Sequence, residues 1–145
     1  MRHDVERPRS TIAAVVFGLL DPLAYGAFLA ALIFDIAYDK SADILWLKAA
    51  AWLIVIGLLS AVLPRLINLV QVWVRAGSPR LAGEVASFWL NLLAIVAAIV
   101  NAFVHSRDAY ATMPEGVWLS VVTVVLLVLA RIVIALQFST RKVAP

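Results

Sequence analysis

Apolar residues run along this chain in four long blocks, at about residues 12–37, 45–70, 85–104 and 117–136, separated by short polar connections. A bilayer core roughly 30 Å thick needs about 20 apolar residues of helix to cross it. Each block meets that length, so the pattern predicts four transmembrane helices and an all-α fold. The first two blocks are long enough to tilt or to reach beyond the hydrocarbon. The connections Asp39–Asp43, Arg75–Arg80 and Ser106–Glu115 are polar, and Gly77 and Pro79 break helix in the middle one. Loops this short join antiparallel neighbours. The expected architecture is a single membrane domain over residues 1–145, an up-down-up-down four-helix bundle.

Composition excludes the soluble alternatives. The 145 residues are 64% hydrophobic and 14% charged, against about half and about a quarter in an ordinary soluble domain. With a mean hydropathy of +0.99, the chain could not cover a water-facing surface, which argues against a soluble globular enzyme. The absence of cysteine removes disulfides, thiolate metal sites and a cysteine nucleophile.

The net charge of +3 belongs to topology and not to nucleic acid. Arg2, Arg7, Arg9, Arg75, Arg80, Arg141 and Lys142 fall on one side of the expected bundle, while Lys40 and Arg107 fall on the other. The positive-inside rule then places both termini in the cytoplasm. Trp73 and Trp89 at the inner ends, with Tyr38, Trp46 and Trp118 at the outer ends, read as a two-sided aromatic belt. Trp52 lies deeper and reads as packing. The first block follows basic residues, but its run of about 26 residues exceeds the apolar core of a signal peptide, about 7–15 residues. It is read as a retained span.

Ionisable side chains in hydrocarbon cost roughly 2.5–3.5 kcal/mol each on insertion scales, so they normally face partners or water. At 1.5 Å per residue, Asp21, Asn91, Arg131 and Arg65 lie about 13, 9, 8 and 7 Å from the cytoplasmic ends of their blocks. These four, one from each helix, are expected to share an inner polar layer, with Asp21 paired to Arg65 or to Arg131. Asp35, Lys48 and Asn101 are expected in a thinner outer layer, with Asp35 and Lys48 as boundary or snorkelling groups. Helical spacing supports one inward face per span. Those faces are Asp21, Tyr25, Phe28, Leu32 and Asp35; Gly57, Ala61, Pro64 and Asn68; Ser87, Asn91, Ala94, Ala98, Asn101 and His105; and Ser120, Thr123, Leu127 and Ala130.

The inner layer admits two readings. One is a structural ion pair with amide hydrogen bonds; the other is a carboxylate at Asp21 that couples to a proton or ion. Pro22 and Pro64, beside Asp21 and Arg65, each remove a helical hydrogen bond and can kink their helices. Haem between two axial histidines is not expected, because His3 and His105 fall on opposite sides of the membrane. His105 is read as a polar helix-end residue. No phosphate loop, zinc-protease motif or nucleophile elbow is present.

Asp21-Pro22-Leu23, the run from Ala27 to Tyr38, Trp52 to Leu59, and Leu90-Asn91-Leu92-Leu93-Ala94 leading to Asn101 cover most of the chain in recognisable order. In these runs the chain resembles a family of bacterial inner-membrane proteins, the domain of unknown function numbered twenty-two thirty-one. The resemblance implies a bacterial inner-membrane protein with four spans. Where that family typically carries His-Pro in the first span, this chain has Asp21-Pro22.

The expected function is that of a non-catalytic integral membrane protein without a cofactor or metal, an accessory or scaffold subunit. Its expected partners are the lipid bilayer and other membrane subunits or a second copy of itself, not nucleic acid. The alternatives are a small proton- or ion-coupled transporter or channel-like element using Asp21 with its arginines, and a quinone- or lipid-binding module.

Overall fold

The structure is a computed structural model and describes residues 11–69, 82–107 and 111–143. His3, the tail bases Arg2, Arg7 and Arg9, the middle connection with Trp73, Arg75 and Arg80, and Asp108 lie outside the described residues, as do the side chains of Asn68, Arg141 and Lys142.

Among the described residues the fold has four helices: α1 (Thr11–Ser41), α2 (Ile44–Leu69), α3 (Ala82–His105) and α4 (Glu115–Val143). All four are long and apolar enough to cross a membrane, over Gly18–Ser41, Ile44–Leu66, Gly83–His105 and Glu115–Gln137. There is no strand among the described residues. Helices α1 and α4 extend beyond their apolar blocks, to Ser41 and Val143, because polar residues with ordinary helix propensity continue the backbone ladder.

The sharpest boundary lies between α1 and α2. Ala42 takes a positive φ of 54° and its N–H bonds the Tyr38 carbonyl at 2.8 Å, a left-handed cap on α1. Asp43 caps α2, its Oδ1 accepting from the Leu45 N–H at 2.9 Å. Pro22 and Pro64 lie inside α1 and α2, and neither ends its helix.

Helix α1 packs most closely on α2, and α3 on α4, while α1–α4 and α2–α3 contacts close the ring. The inward faces predicted by spacing are largely buried: Phe28, Ala61, Ser87, Asn91, Ala94, Ala98, Asn101, His105, Ser120, Thr123, Leu127 and Ala130 all lie below a tenth exposed, while Tyr25 and Leu32 are partly buried. Ala24, Phe28, Ala61, Ala94, Ile95, Ala98 and Leu127 form one apolar cluster. Small residues dominate it, as close helix approach in lipid requires.

Gly57 marks the tightest approach. A Cβ there would sit 2.8 Å from Phe28 Cε1 and 2.9 Å from Cζ. The ring is 3% exposed and has nowhere to retreat. Gly57→Ala is therefore expected to push α1 from α2 and to cost about 1–3 kcal/mol, the usual range for overpacking. Denaturant titration in detergent micelles measures it, and an unchanged midpoint would contradict the packing described.

Two aromatic readings are corrected. Trp52 does not pack in the bundle; it is 70% exposed and faces outward. Its neighbour two positions on, Ile54, takes the buried position instead. Tyr38 is buried, not part of an exposed belt, because it lies one turn after Asp35 on the inward side of α1. Trp46, Trp89 and Trp118 do point outward.

Candidate functional site

Two polar layers sit on either side of the apolar cluster. In the first, the α1 stripe carries Asp21, whose Oδ1 accepts from an Arg65 Nη2 of α2 at 3.0 Å. Its other oxygen, Oδ2, accepts from an Arg131 Nη2 of α4. Asp21 thus meets both arginines and not one of them. The side chains of Asp21 and Arg65 are 13% and 19% exposed, that of Arg131 53%. One carboxylate faces two guanidiniums, so the layer carries a formal surplus of one positive charge.

Tyr25, one turn beyond Asp21, ties in the third helix. The Arg131 guanidinium lies over its ring, 4.5 Å from the centroid, a cation–π arrangement. The Tyr25 hydroxyl donates to Asn91 Oδ1 at 3.4 Å. Asn91 Nδ2 donates back to the Ser87 carbonyl at 2.7 Å. Asn91 therefore stands at the same level as Asp21 but reaches the ionic group through Tyr25.

The second layer differs from expectation in membership. Asp35 is not a boundary group; it is wholly buried. Its Oδ1 lies 2.7 Å from His105 Nε2, and its Oδ2 accepts from Ser120 Oγ at 2.5 Å. Asn101 Nδ2 donates to Ser120 Oγ at 2.7 Å. The group joins α1, α3 and α4. Lys48 does not belong to it: the side chain is exposed beside a shallow dip lined by Ala51, Trp52 and Val55. The reason is rotational, because Lys48 sits one residue past buried Leu47, on the outward side of α2.

His105 ends α3 and lies on the inward face, both as the sequence predicts; what the sequence left unassigned is its partner, Asp35. The His105 side chain is 1% exposed. It shares the α3 stripe with Asn101, four residues earlier, and that spacing was the available signal. Gly116 admits the ring: a Cβ at that position would lie 3.1 Å from His105 Cε1, closer than packing tolerates without a shift.

Hydrogen-bond logic fixes how many protons the pair holds. His105 Nδ1 lies 3.0 Å from the Asn101 backbone carbonyl, which only accepts, so Nδ1 carries a hydrogen. A carboxylate and a bare ring nitrogen cannot face each other at 2.7 Å as two acceptors. One further proton therefore lies between Nε2 and Oδ1, and the pair as a whole is neutral. Asn101 Oδ1 is buried without a hydrogen-bond partner.

The cluster separating the layers is apolar, and the Thr123 hydroxyl that borders it is turned back onto the Leu119 carbonyl at 2.8 Å. Among the described residues, no three His, Asp or Glu side chains converge as a metal ion would require. Both ring nitrogens of His105 are engaged within the bundle.

No family model matches the chain, nor does any curated protein or solved structure. The resemblance described above rests on its residue runs alone. What the fold defines is a class: a protein whose described residues are all-helical, with four helices of membrane-spanning length and apolarity among them.

Proposed function

We propose that this chain is a non-catalytic integral protein of the bacterial inner membrane, a single up-down-up-down bundle with both termini cytoplasmic, acting as an accessory or scaffold subunit. Contacts between helix ends support the antiparallel order. Asp21, early in α1, meets Arg65 and Arg131, late in α2 and α4. Asp35, late in α1, meets Ser120, early in α4. The surplus of basic residues at the tails supports the orientation.

The observation that carries the subunit reading is the apolar cluster between two internally bonded polar layers. A carrier of protons or ions needs polar groups or water continuous across the bundle, whereas Phe28, Ala94, Ala98 and Leu127 interrupt that line. The outward faces, by contrast, are Leu, Ile, Val, Phe and Trp: Leu59, Phe103, Trp118 and Leu136 are each more than half exposed. Such faces suit lipid or another helix.

Cross-linking in native membranes followed by mild-detergent purification tests the proposal. A discrete complex, with a second protein or a second copy in fixed ratio, is expected. Recovery of the chain alone at every cross-linker concentration overturns it. For the carrier alternative, proton or ion flux in reconstituted vesicles that disappears in Asp21→Asn is the diagnostic result.

A further inference from the structure

The first polar layer carries more positive charge than it neutralises. Each oxygen of Asp21 takes one arginine N–H, whereas each guanidinium has five N–H donors in a planar fork. Arg131 Cζ lies over the Tyr25 ring, which anchors the guanidinium while leaving the side chain half open. A guanidinium so placed suits the tetrahedral oxygens of a phosphate, to which arginine donates two parallel bonds.

Position adds a second argument. The apolar span of α1 begins at Gly18, that of α2 ends at Leu66 and that of α4 ends at Gln137. At 1.5 Å per residue, Asp21, Arg65 and Arg131 lie about 5, 2 and 9 Å from those ends. That is within arginine's reach of the headgroup level. Leu23 on α1 and Val128 on α4, each deeper than the charged residue of its helix, are exposed apolar side chains on two of the three helices that present the cluster. They offer an acyl chain a surface below the charge.

We infer that Arg131, with Arg65 behind it, is a binding site for the phosphate headgroup of an anionic phospholipid. The inference rests on the membrane-spanning reading and gives the bundle a specific lipid. Asp21 is then a competitor as well as a partner, because it occupies one N–H of each arginine that a phosphate would otherwise accept.

The full chain in a neutral detergent, titrated with phosphatidylglycerol or with phosphatidylcholine of the same acyl chains, tests this by native mass spectrometry. Phosphatidylglycerol is expected to be retained about fivefold better, the gain for one arginine near an anionic headgroup. Arg131→Gln should abolish that preference. Arg107→Gln, in the exposed connection after α3, should leave it intact. Asp21→Asn should strengthen phosphatidylglycerol binding. Equal retention of the two lipids by the wild-type chain overturns the inference, and that measurement depends on no variant. So does a preference that survives Arg131→Gln, which would assign the lipid to the basic tails. Displacement of the lipid by inorganic phosphate at equal concentration would make the site one for a free anion. The assay needs no partner protein and no sidedness, so its failure is distinguishable from failure of the subunit reading.

Discussion

His105→Leu is expected to be the most damaging single substitution in the protein, lowering unfolding free energy in detergent by about 3 kcal/mol or more. Among the described residues, the imidazole is the hydrogen-bond partner of Asp35 Oδ1, and it sits on the Asn101 carbonyl at the same time. Leucine fills the volume but donates nothing. Asp35, wholly buried, keeps the Ser120 hydroxyl and loses its proton-sharing partner. Asp35→Asn should be far milder, about 1 kcal/mol. A neutral histidine keeps its Nδ1 hydrogen on Asn101 and turns a bare Nε2 towards position 35. An amide there donates one N–H to Nε2 and accepts from Ser120, so both bonds to position 35 are kept. The double substitution of Asp35 and His105 by leucine should recover much of the loss, since replacing both partners removes the orphaned group. Chemical unfolding of the four proteins in one detergent decides the matter. Equal losses for His105→Leu and Asp35→Asn would show that the bond geometry argued here is not what holds the layer.

The helical faces were legible in the sequence because lipid strips the signal to its essentials. With apolar residues on every side, only small and polar side chains mark the inward stripe, and those recur at three and four residues. Ser87, Asn91, Ala94, Ala98, Asn101 and His105 are all buried for that reason. Asp21 and its arginines were legible as a layer through their depth. Depth was also what misled the reading of Asp35 as a boundary group and of Lys48 as a member of the outer layer. Both lie near helix ends, where snorkelling to water is the default expectation for a charged group, and Lys48 alone meets it. Whether a group near an end turns in or out depends on rotation about the helix axis, and a residue's distance from the end says nothing about that. Asp35 continues the buried stripe of Phe28, while Lys48 lies just off that of Leu47 and Ile54. The stripe, read strictly, outranks the distance. The same rule would have moved Trp52 outward. The proton count at His105, in contrast, needed coordinates, because it depends on which acceptor faces Nδ1.

The two layers also differ in how far they can be stripped. The second is closed, whereas the first is partly open through Arg131, and this sets the order expected of its variants. Asp21→Asn should cost about 2–4 kcal/mol, because it leaves two guanidiniums facing each other with no anion between them, one of them largely buried. Arg131→Gln should cost about 1 kcal/mol or less, since Arg65 still satisfies the carboxylate and the lost side chain was half exposed. Arg65→Gln falls between the two. Combining Asp21→Asn with Arg65→Gln should restore most of the stability lost in Asp21→Asn, because the remaining arginine can reach the interface by itself. High salt should narrow the gap between Asp21→Asn and wild type, as screening weakens the exposed half of the repulsion. Unfolding titrations at low and high ionic strength measure each term. If Arg131→Gln proved as costly as Asp21→Asn, the layer would be a closed ionic lock, with nothing left over for a ligand.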